Sequence, residues 1–348
     1  MKYRGVVYDV GLRFTAGQPL SVEPFDPILV ENDINVIASD LFATAIRIEG
    51  EEIERLVLAA RKAHATGLTV FFNPWKMNVL IGELPAYFAA AARAAEILRK
   101  EGVDIIFVAG CEMTLFNEGI LPGVTFAERI RSVIELSEAV QSDDGAKVGA
   151  KTNLLNEALK SIASAVRAEF KGQVTYSAGM WEKVDWGIFD LVGIDHYRST
   201  ESPQEYVGML DHYRIGKPII VMEVGCCAYE GAARFGAGGF MLLEGVNPDG
   251  TAIFKDGAVP KRSEQEQANY VTEQLNLLKD SNIDGTFIFV FSFPAFPYGE
   301  DLRDLDMMSF SLVKTYPKSQ QAKNGGTPWK PKKAFHSIAS IYRTLSNK

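Results

Sequence analysis

The chain predicts a closed parallel barrel of eight strands, a single (β/α)8 domain over residues 1–348, and three observations carry that expectation. Short apolar runs of strand character alternate with helix-like segments along the whole length. Eight such runs are present, which favours closure over an open doubly wound sheet. Two of them, from distant parts of the chain, end in a glutamate: 105–110 runs into Cys111 and Glu112, and 218–222 into Glu223, Val224 and Gly225. A carboxylate just past the end of a buried strand, delivered twice, is how a parallel α/β barrel builds a two-acid site.

The elements follow in order. Residues 3–9 read as the first strand, 25–41 mostly as helix, and 44–48 (TAIRI) as the second strand. Residues 51–65 place Ile53, Leu56, Val57, Ala60 and Ala63 at helical spacing, and Gly67 is a good stop before the third strand, LTVFF at 68–72. An alanine-rich helix at 85–100 leads through Gly102 to the fourth strand at 104–109. Helices at 125–141 and 154–170 precede strands at 174–177, 190–195 (DLVGID), 218–222 and 286–292 (TFIFVFS). A last helix at 332–345 closes the barrel. Long loops are expected after the seventh strand, at about 226–260 with a Gly-rich core at 231–257, and after the eighth, at about 294–330. The first is a candidate rim or lid.

Composition narrows the partners. The chain has 348 residues, 47% of them hydrophobic, which supports a large core. A formal charge of −8, with no basic run interleaved with aromatics, argues against a nucleic-acid surface. No stretch reaches the roughly 18 consecutive apolar residues of a membrane span, and the N-terminus runs into strand without an apolar signal region, so a cytoplasmic protein is expected. The three cysteines, Cys111, Cys226 and Cys227, do not suggest a disulfide framework and read as free thiols packed near the glutamates.

A barrel with these strand ends resembles the clan-A retaining glycoside hydrolases, which are TIM barrels, over nearly the whole chain at the level of strand order. In that clan the acid/base glutamate follows strand four and the nucleophile follows strand seven, which implies Glu112 as acid/base and Glu223 as nucleophile. Arg47, in TAIRI, resembles the clan's arginine that steadies the nucleophile, and Asp195-His196-Tyr197 is similar to the aromatic-bearing segment after strand six. The stretch FVAGCEMTLFNEGILPG, with MEVG, also resembles bacterial proteins carried under the name abortive infection proteins. The chain departs from the clan in two places. Cys111 stands where many members have Asn in contact with the sugar 2-hydroxyl, so that contact is absent or comes from Asn117, Asn73 or another group. No Trp ends strand eight, where Phe289, Phe291 and Phe293 stand instead.

The chemistry asks for such residues independently. Cleavage with retention needs one carboxylic acid to protonate the leaving oxygen and one carboxylate to attack the anomeric carbon. Glu112 then has to keep its proton near neutral pH, while Arg47 and Tyr197 hold Glu223 ionised. Trp75, Trp181 and Tyr197, each beside a strand end, and Phe293 are the expected sugar-binding aromatics, with Asp195 and His196 beside them. The expected function is hydrolysis of a β-glycoside with no cofactor and no metal. Glu182 and Asp9 also lie near strand ends but read as capping or solvated charges.

Two other classes compete. A metal-dependent isomerase or hydrolase would gather Glu112, Asp195, His196 and Glu223 around a divalent ion, although the remaining histidines, His64, His212 and His336, lie in helix-like segments. A related variant makes Cys111 a thiol nucleophile with His196 as its base. A catalytically silent carbohydrate-binding barrel keeps the fold without turnover. Oligomeric state is not readable from the residues.

Overall fold

The structure, a computed structural model, describes residues 1–141 and 145–346. Strands β1 (Tyr3–Asp9), β2 (Ala45–Gly50), β3 (Thr69–Pro74), β4 (Ile105–Cys111), β5 (Val174–Gly179), β6 (Val192–Asp195) and β7 (Ile219–Val224) follow one another around a barrel. A hairpin of β8 (Leu243–Val246) and β9 (Ala252–Phe254) intervenes before β10 (Gly285–Ile288), which pairs in parallel with both β7 and β1 and closes the ring. The chain is therefore the eight-stranded (β/α)8 barrel its alternation predicts.

Local sequence explains the wrapping helices. Helix α1 (Pro27–Ser39) starts where the Asp26 carboxylate caps the amides of Ile28 and Leu29, with Pro27 in the first turn where its missing N–H costs nothing. Helix α2 (Ile53–Ala65) buries Leu56, Ala59, Ala60 and Ala63 on one face and stops before Gly67, whose φ of 81° a β-carbon would strain. Truncating fully buried Leu56 to Ala should cost about 2–5 kcal/mol. Helix α3 (Leu84–Lys100) leads to β4, and α4 (Met113–Phe116), α5 (Phe126–Gln141) and α6 (Gly145–Glu169) fill the crossover to β5. Helix α6 starts earlier than the apolar spacing from 154 predicts. From β5 to β6 only a 3₁₀ turn at Trp186–Ile188 intervenes, so this crossover lacks the expected α-helix. Helix α7 (Pro203–Gly208) precedes β7, and α8 (Glu264–Lys279) precedes β10.

The barrel interior is a packed core of Val7, Ala45, Phe71, Ile106, Val108, Ile220, Met222 and Phe287. Phe71 meets Tyr3 and Phe287 edge-on at centroid distances of 5.2 and 4.6 Å. Glycine at position 5 makes room for this, since a β-carbon there would lie 2.2 Å from the Phe287 ring. Toward the C-terminal ends of the strands Arg47, Glu49, Asn73, Ser177, Asp195 and Glu223 are all buried.

Two expectations need correction. The run at 286–292 is strand only to Ile288; beyond it Phe289 N bonds Val224 O, Phe291 N bonds Val7 O, and Leu312 N bonds Val290 O and Phe291 O, so the apolar residues stay buried without a continuous ladder. The two long loops are also more regular than glycine content suggests. The first holds a 3₁₀ segment at Ala232–Leu242 and the β8–β9 hairpin, and the second holds α9 (Lys318–Gln321) and an antiparallel pair, β11 (Val313–Thr315) with β12 (Trp329–Pro331). The final helix, α10 (Lys333–Ser346), is tied to β1 by Tyr342 Oη donating to Gly5 O at 2.8 Å. Among the described residues no helix is long and apolar enough to cross a membrane.

Candidate active site

Glu223 stands at the penultimate position of β7 and both of its carboxylate oxygens are held. Arg47 Nη1 donates to Oε1 at 2.9 Å and Tyr197 Oη donates to Oε2 at 2.9 Å. Arg47 is itself fully buried and fixed by three further groups. Its Nε donates to Asn73 Oδ1 at 2.8 Å, Nη1 also reaches Met222 O at 3.0 Å, and Nη2 lies 3.5 Å from Glu49 Oε2. Charge-assisted bonds of this kind, removed from water, hold a carboxylate in one orientation.

Asp195 and Cys111 lie beneath Glu223. Asp195 Oδ1 accepts from Ser177 Oγ at 2.6 Å and sits 3.9 Å from Arg47 Nη1; Cys111 Sγ is 3.6 Å from Asp195 Oδ2 and 3.7 Å from Glu223 Oε1. Burial, reinforced by Glu223, raises the Asp195 carboxyl well above the usual range, which favours its neutral form. Burial and the two carboxyl groups likewise push the Cys111 thiol up, so it is a thiol rather than a thiolate.

Glu112 is held by its backbone alone. The chain turns at Gly110, whose φ of 106° favours glycine. The β4–β5 register shifts between Val108 and Cys111, and Glu112 itself adopts φ 41°, ψ 49°, a left-handed conformation uncommon for glutamate. Glu112 N donates to Ser177 O at 2.9 Å, Met113 N to Tyr176 Oη at 2.7 Å, and Thr114 N to Glu182 Oε1 at 3.0 Å. Glu182 also accepts from Thr114 Oγ1 and Tyr176 Oη, at 2.7 and 2.9 Å, and from Gly179 N at 3.2 Å. The half-buried Glu112 carboxyl, by contrast, makes no hydrogen bond among the described residues. Burial first, then the negative charges of Asp195, Glu223 and Glu182, raises its pKa well above the usual carboxylate range.

The remaining candidates divide. Trp181 is half-buried, with Nε1 donating to Thr114 Oγ1 at 2.8 Å, and Phe293 is half-buried against Phe14 and Phe296. Trp75 is only 4% exposed, its ring edge-on to Phe116 at 4.8 Å, so it backs the site more than it faces it. His196 is turned away. Its ring stacks on Tyr206 at 4.0 Å, Nε2 bonds Tyr206 O at 2.8 Å, and burial lowers its pKa to about 4. A residue adjacent to Asp195 on an extended segment points to the opposite side, and that alternation removes His196 from both the sugar contacts and the set of metal ligands.

The nearest thing to a metal set among the described residues is Cys111, Asp195 and Glu223, whose ligand atoms lie within 4.8 Å of one another. Arg47 already places a positive charge against two of them. Asn117 and Asn73, the alternatives for the 2-hydroxyl contact, are both engaged: Asn117 Nδ2 donates to Lys76 O at 2.9 Å and Asn73 Oδ1 accepts from Arg47.

Sequence reasoning passed over three acids. Glu182, read as a cap or solvated charge, is buried with a pKa raised to about 7, chiefly by burial, and braces the Glu112 turn. Asp9 is buried too, accepting from Gly11 N and Ser21 Oγ to hold the loop after β1. Glu49 was not singled out, although it stands two residues after Arg47 and so shares its face of β2.

No protein-family model matches the chain, and no curated protein sequence does. Solved structures do resemble it. A GH113 β-1,4-mannanase matches 99% of this chain and 100% of its own at 13% identity and TM-score 0.59. The GH113 β-mannanase AaManA from Alicyclobacillus acidocaldarius, in complex with ManMIm, matches 99% of this chain and 98% of its own at 16% identity and TM-score 0.57. A family 1 β-glucosidase from Thermotoga maritima, in complex with isofagomine lactam, matches 98% of this chain and 97% of its own at 12% identity and TM-score 0.54. At these identities the likeness is one of fold.

Proposed function

We propose that the protein is a retaining glycoside hydrolase that cleaves a β-glycosidic bond by double displacement. The observation that carries the reading is the contrast between two glutamates at one end of the barrel. Glu223 has both oxygens held by Arg47 and Tyr197, whereas Glu112 has a free carboxyl whose proton is retained by burial and neighbouring charge. The names of the proteins similar in fold, mannanases and a β-glucosidase, support the same class.

In the first step a Glu223 oxygen bonds to the anomeric carbon while the bond to the leaving oxygen breaks and Glu112 gives that oxygen its proton. In the second, Glu112 takes a proton from water, the water oxygen attacks the anomeric carbon, and the bond to Glu223 breaks. Arg47 and Tyr197 aim the Glu223 carboxylate. The half-buried Trp181, Tyr197 and Phe293 offer apolar surface for a sugar face.

The test is a panel of aryl β-glucosides, β-mannosides and β-galactosides, with the anomeric configuration of the first-formed product followed by NMR. A product of retained configuration is expected, unaffected by chelators. Inversion would remove the double displacement, and activity lost to a chelator and restored by a divalent cation would favour a metal-dependent reading of the Cys111, Asp195 and Glu223 cluster.

A further inference from the structure

Four consecutive strands each bring one buried side chain to the level of Glu223. Cys111 ends β4 and lies opposite Ser177 of β5 in the register, and Asp195 ends β6 and lies opposite Glu223 of β7. Ser177 Oγ donates to Asp195 Oδ1, which leaves Oδ2 to face the Cys111 thiol. The thiol therefore has two carboxyl groups within reach, Asp195 Oδ2 at 3.6 Å and Glu223 Oε1 at 3.7 Å. Cys111 is fully buried, so bulk water does not compete for its hydrogen, and its apolar neighbours Leu12, Trp75 and Met77 carry no side-chain oxygen.

A thiol has one hydrogen to give, and the two acceptors are unequal. Burial favours the neutral form of Asp195 and keeps Cys111 itself protonated, whereas Arg47 and Tyr197 hold Glu223 as a carboxylate. An ionised acceptor binds a donor more strongly than a neutral one, so in the free protein the S–H points to Glu223 Oε1. Once Glu223 is bonded to an anomeric carbon it is a neutral ester and that advantage is gone. Asp195 Oδ2 waits at nearly the same distance from the sulfur. Turning the hydrogen about the Cβ–Sγ bond exchanges one acceptor for the other without moving a heavy atom.

We propose that Cys111 is a positioning residue for the second displacement: its S–H is donated to Glu223 whenever Glu223 is a carboxylate and is turned to Asp195 while Glu223 carries the sugar. This rests on the double displacement proposed above. The S–H bond stabilises Glu223 before it attacks and again as it departs, so it restrains formation of the glycosyl intermediate slightly and favours its hydrolysis. A thiol suits the task because its bond to oxygen is weak enough to be broken in every turnover.

The experiment has two arms. In the first, the S–H stretching band of Cys111 is followed by infrared spectroscopy at neutral pH in the wild-type protein and in Glu223→Gln. The bands of the other two thiols are identified with Cys226→Ala and Cys227→Ala, so this arm needs no substitution at position 111. The Cys111 band should lie at lower frequency in the wild-type protein, where its acceptor is charged, than in Glu223→Gln; the same position in both overturns the proposal. In the second arm, burst kinetics on dinitrophenyl β-glycosides separate formation of the intermediate from its hydrolysis. Cys111→Ala should lower the ratio of the hydrolysis rate to the formation rate by about two- to fivefold, the range for one weak hydrogen bond. As a ratio within one variant it is insensitive to partial loss of folded protein. Loss of packing alone slows both steps together, and an unchanged ratio overturns the proposal. If no glycoside of any kind is hydrolysed, the glycosidase reading fails by itself, while the infrared band still decides whether the S–H is given to Glu223: a shift supports that bond and an unshifted band overturns it.

Discussion

The end of β7 and the end of β4 present the same side chain in opposite ways. At β7 the backbone is regular and the carboxylate is immobilised, with Arg47 on one oxygen and Tyr197 on the other. At β4 the backbone is left-handed and braced by Ser177 O, Tyr176 and Glu182, while the carboxyl of Glu112 has no hydrogen-bond partner among the described residues. A group that must attack along one line benefits from fixed orientation, and a group that must give and take a proton benefits from a pKa moved toward neutrality and freedom to move. Rigidity is invested in the side chain in one case and in the main chain in the other. The proposed division of labour follows from that difference.

The largest effect should come from removing the immobilised partner. Glu223→Ala should lower kcat by roughly 10⁴-fold or more, and added azide should restore some turnover with a product of inverted configuration. Unchanged turnover would take Glu223 out of the mechanism. Glu112→Ala should cost roughly 10²- to 10⁴-fold on substrates with poor leaving groups and far less on activated aryl glycosides. Because the Glu112 pKa is raised, the acid form persists above the ordinary carboxylate range and is lost as pH rises through the shifted value. The wild-type rate should therefore fall on the alkaline side, and Glu112→Ala should abolish that limb. A limb that survives the substitution would assign it to another group.

The clamp can be broken separately. Arg47→Ala leaves Glu223, Asp195 and Glu49 without their buried cation and should destabilise the fold by about 3–5 kcal/mol in urea titration, whereas Tyr197→Phe should reduce kcat by about tenfold with little change in stability. Equal stability losses for the two would show that Arg47 does no more than a single hydrogen bond. The smallest effect concerns the brace. Glu182 has its folded pKa raised to about 7, so the folded state holds its proton where the unfolded chain has released it. The stability it contributes is present below about pH 4.5 and is lost as pH rises toward about 7. Glu182→Gln should flatten the decline of Tm with pH across that window, and an unchanged slope would remove Glu182 as its source.

Much of this was legible because burial imposes a repeating pattern. The strand runs and the α2 face Leu56, Ala60 and Ala63 could be read because a strand buried on both sides and a helix buried on one leave different periods in the residues. Glu112 and Glu223 follow from the same reading, since parallel strands of a barrel all deliver their last residues to one end, whereas Arg47 and Tyr197 were expected from the resemblance to clan-A glycoside hydrolases. His196 was misplaced for lack of a facing: its neighbour Asp195 turns inward and it turns out against Tyr206, a partner ten residues on. Glu182 was undervalued because a carboxylate after a strand looks solvated until the donors of Thr114, Tyr176 and Gly179 converge on it.

By itself, then, the sequence determined the eight-stranded barrel and which residues reach its C-terminal end, because those depend on periodicity and chain order. Only the tertiary structure decided how each carboxyl is used. The clamp on Glu223 joins residues 176 positions apart and the brace on Glu112 joins Thr114 to Glu182, 68 apart. The electrostatics that separate their roles arise from burial and from neighbours that no local pattern encodes.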